Sequence, residues 1–222
     1  MVAISSQTEM VREIVERRVK DLEEIALLGR YVDLVPLVHE HHDGLVDAAS
    51  DGNLWQLWYT GVPAPDAMSA YIDRCLALKA AGTMLPFAVI DKIGERIAGM
   101  TTYLNIDLEV PRLEIGGTWY ANRVQRTPLN TEAKLLLLSH AFDSLGCLAV
   151  EFRTHFLNHQ SRRAIERVGA KLDGVLRQHM RMRDGTVRDT CVYSIIPCEW
   201  PAVRSNLKWQ LEKPRPPADS SG

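Results

Sequence analysis

Apolar residues along this chain switch between a helical spacing and strict alternation, and each switch marks an element. Over residues 7–28, Met10, Ile14, Ile25 and Leu28 keep a rough helical period with charged residues between them, and Gly29 is the stop. YVDLVPLV (31–38) reads as a strand whose Pro36 suits an edge or an end. Helical spacing returns at 40–50 and at 66–81. In the second stretch Met68, Tyr71, Ile72, Cys75 and Leu76 form the apolar series, Asp66 precedes it and Gly82 ends it. Strands follow at 86–91, 96–107 and 113–121, the first two joined by the turn KIGE. A helix is predicted over 130–145, a strand over 147–156, and a short helix over 161–168 closed by Gly169. Strands at 171–182 and 187–196 meet at the hairpin dipeptide Asp184-Gly185, and 198–211 closes as a helix.

This order predicts a mixed α+β fold: a mostly antiparallel sheet flanked by helices, with one β–α–β crossover in the middle. The expected division is an N-terminal helical extension (1–26), a main domain (27–211) and a disordered Pro/Ser/Gly-rich tail (212–222). A chain of 222 residues buries enough surface to need no disulfide or metal staples. Its 26 basic against 28 acidic residues give a net charge of −2, which excludes a strongly basic nucleic-acid binder by composition and leaves room for a local patch. No apolar run approaches the ~20 residues of a membrane span. The first twenty residues lack the pattern of a signal peptide. Cys75, Cys147, Cys191 and Cys198 form no C-x-x-C pair, so they read as reduced thiols and the expected compartment is the cytosol.

Three features carry candidate chemistry of modest weight. Trp55, Trp58 and Tyr59 lie in a stretch ended by Gly and Pro, suited equally to a pocket wall and to core packing. His39, His41 and His42 cluster at a helix start, where a solvated helix end is the favoured reading and no metal is expected. Arg177, Arg181 and Arg183 share one face of the last hairpin by alternation, with Arg188 on its second strand; a solvated sheet face is favoured over a site for an acidic substrate or a phosphate.

Residues 113–169 are more informative. A strand ends at Tyr120, the polar loop ANRVQRTPLN follows, and a helix opens near Thr131. Such a step gathers loop N–H groups and the positive helix end at one point, an anion site to which Gln125, Arg126 and Thr127 add donors. Neither a P-loop nor a G-x-G-x-x-G run is present.

The combination of this loop, the helix start NTEAK, Asn158-x-x-Ser161 and the closing Arg167-x-Gly169-Ala170 resembles the GNAT superfamily of acyl-CoA-dependent N-acetyltransferases. It is most similar to the RimJ/RimL-like branch, the ribosomal-protein N-terminal acetyltransferases. The resemblance spans roughly residues 27–211 and implies the acyl-CoA N-acyltransferase fold. It implies acetyl-CoA as co-substrate, bound by Tyr120, Gln125, Arg126, Thr127, Leu129, Asn130 and Thr131 at the pyrophosphate and by Asn158 along the pantetheine arm. The family loop is usually rich in glycine. This one has none, and Asn130 is the residue suited to a left-handed glycine role.

The implied reaction is direct transfer of an acetyl group to a primary amine, with no metal. The amine must be neutral to attack. At pH 7 that costs about 4.6 kcal/mol for a lysine side chain and about 1.2 kcal/mol for an α-amino group. Glu114, on the strand before the loop, is the candidate base, and alternation puts it on the face of Gly116 and Thr118. Many superfamily members carry a tyrosine acid seven residues after the asparagine. Ile165 stands there, so Ser161 is the candidate for meeting the leaving thiolate. Trp55, Trp58 and Tyr59 are the candidate acceptor wall. The acceptor is a small-molecule amine or a protein N-terminus. The rival reading is a non-catalytic acyl-CoA-binding module, and a homodimer stays open.

Overall fold

A computed structural model describes residues 25–213. They build an eight-stranded sheet in the order β1-β2-β3-β4-β5-β6-β8-β7. The strands are β1 (Leu27–Leu28), β2 (Val32–Pro36), β3 (Met84–Asp91), β4 (Arg96–Asp107), β5 (Arg112–Tyr120), β6 (Ala149–His155), β7 (Lys171–Arg181) and β8 (Val187–Ile195). All neighbours are antiparallel except β5 and β6, which are joined by the predicted crossover and run parallel. The helices are α1 (His42–Ser50), α2 (Met68–Ala80), α3 (Leu129–Ser139), α4 (His159–Val168) and α5 (Trp200–Glu212).

Each helix buries the stripe that its sequence predicts. Leu45, Ala48 and Ala49 of α1 pack on β4, and Met68, Ile72 and Cys75 of α2 pack on β3. On the other side α3 lies against β2 and α5; Leu137 and Leu138 enter the core, and Tyr103 of β4 donates its hydroxyl to the Leu137 carbonyl at 2.7 Å. A π-turn over His140–Ser144 extends α3 to the end expected from the pattern.

The sequence reading needs correction at its N-terminal edge. Residues 7–24 of the expected helix, and residues 214–222 of the expected tail, lie outside the described residues. Leu27–Leu28 is strand rather than helix: Leu27 pairs with Leu34 and Leu28 with Asp33. The turn between β1 and β2 is fastened by a residue far along the chain. Backbone N–H groups of Arg30, Tyr31 and Val32 donate to the buried Glu132 carboxylate of α3 at 3.0, 2.6 and 3.0 Å. Three such donors compensate the desolvation of the charge.

A second correction concerns faces. Thr102 pairs with Gly116 and Met100 with Trp119, so β5 carries an extra residue at this point. Gly117 absorbs it with a φ of +56°, a left-handed conformation that glycine adopts without strain. The bulge reverses the alternation beyond it. Thr118 therefore turns to the α3 side, where its hydroxyl meets that of Thr101 at 2.7 Å, instead of joining Glu114.

Candidate active site

Strands β5 and β6 stay paired for three residues only, Arg112–Glu114 against Ala149–Glu151, and then part. β5 runs on to Tyr120 beside β4, and β6 runs on to His155 beside β8. The result is a fork in the middle of the sheet, closed at Glu114 and open toward the α3 N-terminus.

Glu114 is buried at the closed end. Asn105 Nδ2 donates to its Oε2 at 2.8 Å, and Arg153 Nε stands 3.6 Å from the same oxygen. Arg153 is shared with Glu151, which also pairs with Arg112. An open cavity of about 300 Å³ adjoins Glu114, lined by Asn105, Asp107, Arg112, Glu151 and Arg153. Burial holds the Glu114 carboxyl above its usual pKa, against the opposing pull of Arg153 and of the Asn105 hydrogen bond. Such a carboxylate is a better proton acceptor than one in water.

Glycines 116 and 117 clear the strand beside it. A Cβ at Gly116 would stand 2.7 Å from Glu114 Oε1 and 2.8 Å from Leu104 Cδ1. The glycine pair thus leaves room beside Glu114 and forms the bulge.

At the open end the loop from Ala121 to Pro128 is fixed from below. Arg123 bonds Asp51 Oδ2 through its backbone N–H and its Nη1, and Ile97 O through Nη2 at 2.7 Å. Helix α3 begins at Leu129, two residues before the expected Thr131, so Asn130 and Thr131 lie in its first turn with N–H groups that have no helical acceptor. The left-handed residue is Arg126, φ +63°, and not Asn130, which is helical. Thr127 engages its hydroxyl locally, donating to Val124 O and accepting from Leu129 N–H. Leu129 buries its side chain in the core. Gln125 is half-buried, and its N–H closes a turn onto Asn122 O. The Tyr120 hydroxyl and Asn130 Oδ1 are buried with no hydrogen-bond partner. An unpaired tyrosine hydroxyl, a bare helix start and an exposed arginine fit a bound phosphate group.

On the other arm Asn158 caps α4, its Oδ1 accepting the Ser161 N–H at 3.0 Å. The Ser161 hydroxyl itself makes no hydrogen bond among the described residues. Ile165 is buried one turn further on the same helix face. Of the three aromatics, Trp55 packs against the core, whereas Trp58 is half exposed and meets Tyr59 and His155 edge-on, with ring centroids 5.6 and 5.1 Å away.

Sequence reading missed two features here. Glu151, Arg153 and His155 alternate on β6 and share the face of Glu114, a relation that needs the β5–β6 register. His155 Nδ1 accepts the Leu157 N–H at 3.0 Å, so its neutral tautomer carries the proton on Nε2. Lys134 is buried on α3 with its Nζ donating to Thr118 Oγ1 at 3.0 Å, and burial brings its pKa down to about 7. The histidines at the α1 end are held locally, His39 on Asp73 and His42 on Asp43. Cys75, Cys147 and Cys191 are buried and Cys198 is exposed. Among the described residues, no helix is long and apolar enough to cross a membrane.

Known proteins share this architecture. The family model described as an acetyltransferase (GNAT) domain matches residues 32–171. A GCN5-related N-acetyltransferase from Brucella melitensis is 34% identical over 85% of this chain and 86% of its own, with a TM-score of 0.77. A putative acetyltransferase from T. thermophilus is 32% identical over 84% and 96%, with a TM-score of 0.74. Mycobacterium smegmatis RimJ, solved with CoA-disulfide, shares the fold at 21% identity over 81% and 88%, TM-score 0.67. No curated protein matches the sequence. With the forked sheet in place and a family model covering well over half the chain, this protein belongs to the GNAT acetyltransferase family.

Proposed function

We propose that this chain is an acetyl-CoA-dependent N-acetyltransferase that moves the acetyl group directly to a primary amine. The observation that carries the reading is the buried Glu114 at the closed end of the fork, with a raised pKa and a cavity beside it. Acetyl-CoA supplies an activated acyl group as a thioester. Tyr120, Arg126, Asn130 and the first-turn N–H groups of α3 would hold its pyrophosphate, with Asn158 along the pantetheine arm. The fold neighbour MccE was solved with acetyl-CoA and AMP, which is consistent with this use of the fold.

Glu114 then takes the proton of the incoming ammonium, directly or through water. The freed amine attacks the carbonyl carbon, the C–S bond breaks, and the surplus proton on nitrogen passes to the thiolate that leaves beside the α4 N-terminus. Ser161 is the group for that thiolate. Helical side chains lean toward the N-terminus, so a tyrosine at 165 would reach back over position 161. With isoleucine buried there, the unengaged Ser161 hydroxyl is the nearest donor on that face. Trp58 and Tyr59 wall the acceptor side.

The test has two steps. Saturating acetyl-CoA at 100 times its Kd should add about 2.7 kcal/mol, or roughly 5–11 °C in Tm for a domain of this size, and ATP should add nothing. Release of free thiol in the presence of amines then reads turnover. Glu114→Gln should cut kcat by about 10²–10⁴-fold, the usual contribution of a positioned base, with acetyl-CoA affinity kept. Binding without thiol release from any amine would replace this reading with that of a non-catalytic acyl-CoA-binding module.

A further inference from the structure

The side of the fork that carries Glu114 holds one cation more than its carboxylates use. Arg112 and Arg153 are taken up by Glu151 and Glu114. Arg188 is not. It lies on β8, two residues before Thr190, which pairs in register with His155. Paired residues share a face, so Arg188, Thr190 and His155 stand on the Glu114 side of the sheet. Arg188 Nε donates to Thr190 Oγ1 at 2.8 Å, and this is its sole hydrogen bond, with no ion pair among the described residues. The nearest acids in sequence are engaged elsewhere. Asp189 holds Arg177 and the Gln178 N–H, and Asp184 holds Thr186.

The guanidinium is nonetheless half-buried, and its charge is felt at Glu114 and at His155. A roof is present too. Arg183, at the tip of the same hairpin, reaches the carbonyls of Gly61 and Val62 at 3.4 Å. That ties the hairpin to the loop that lays Trp58 on His155. A base, an aromatic roof and an unpaired, oriented guanidinium thus stand on one side of the sheet.

We infer that the acceptor is an amine that also carries an anionic group, a carboxylate by choice, which Arg188 binds while the amine faces Glu114. The planar fork of an arginine matches a carboxylate through two parallel hydrogen bonds. With Nε held by Thr190, the two terminal nitrogens are left for that purpose. The inference deepens the transferase reading and rests on it.

The experiment compares matched acceptors with acetyl-CoA: free amino acids, the same amino acids as carboxamides, and peptide amides beginning with Asp, Glu or an uncharged residue. The carboxylate should exceed its carboxamide by roughly 10- to 100-fold in kcat/KM, the discrimination expected of a charge-assisted pair. Arg188→Gln should collapse that ratio and leave the acetyl-CoA KM in place, and Arg188→Lys should retain part of it. Free amino acids and acidic peptide amides separate a backbone carboxylate from a side-chain one. Tm shifts by each acceptor in the presence of CoA supply a readout free of turnover. If no amine is acetylated but carboxylates still stabilise the wild type more than Arg188→Gln, the anion site stands and the transferase reading falls. If amines are acetylated without regard to their charge, the anion site falls and the transferase stands. A raised acetyl-CoA KM in Arg188→Gln, with the acceptor ratio unchanged, would assign the arginine to a coenzyme phosphate and overturn the inference.

Discussion

Lys134→Met should stabilise this protein at neutral pH, even though Lys134 forms a hydrogen bond and Met cannot. The ammonium is buried on α3 with Thr118 Oγ1 as its hydrogen-bond partner and no carboxylate at ion-pair distance among the described residues. Burial lowers its pKa from 10.5 to about 7. The unfolded chain keeps the ordinary value, so between pH 7 and 10.5 the unfolded state binds more protons than the folded one. Stability contributed by this site therefore rises with pH through that window. At about 1.36 kcal/mol per pKa unit, the site costs about 5 kcal/mol below pH 7, about 2 kcal/mol at pH 9, and nothing above about 10.5. A methionine of similar length removes the cost, and Thr118 keeps Thr101 as its partner. Urea unfolding of wild type and variant from pH 6 to 10 reads the difference, in which the other titrating groups cancel. The gap should be largest at pH 6 and should close as pH rises. A gap that is constant with pH, or a variant less stable throughout, would refute the burial argument.

Two further outcomes follow from the same geometry. Trp58→Ala removes a half-exposed ring that rests on His155 and not in the core. It should raise the acceptor KM several-fold with little change in Tm or in the acetyl-CoA KM, measured by thiol release, whereas an equal loss of both KM values and of Tm would make Trp58 a packing residue. Gly117→Ala forces a Cβ onto a φ of +56° and to 2.8 Å from Thr102 Cγ2, so it should cost about 1–3 kcal/mol in urea unfolding; a neutral result would mean that the bulge relaxes freely.

What the sequence disclosed was set by range. Strands β3 to β8 and the five helices carry their own periodicity, and each was legible to within a few residues. β1 was not, because two residues hold no period; it exists through Leu34, Asp33 and the Glu132 carboxylate a hundred positions away. The parallel pair at the fork was legible as topology, since one crossover makes one parallel pair. Its depth was not, since three paired residues follow from the β5–β6 register alone. Asn130 has the better propensity for a left-handed turn, but α3 begins one residue before it and forces it helical, so Arg126 takes the turn. Trp58 and His155 meet across nearly a hundred residues. Local pattern has no means of pairing them.

The extra residue at Gly117 explains how two costly groups share one strand. With unbroken alternation Glu114, Gly116 and Thr118 would line a single face, and Lys134 would lose the Thr118 hydroxyl that it reaches from α3. The bulge turns Thr118 through the sheet, so the polar requirements divide. Glu114 keeps one face with Asn105 and Arg153, and Thr118 joins Thr101 and Lys134 on the other. The same glycines leave no side chain beyond Glu114, at the point where β5 and β6 have already parted. A strand that must hold a base, open a path along its backbone and still pack a helix behind it meets the three demands with one inserted residue. A glycine there is the least strained way to insert it.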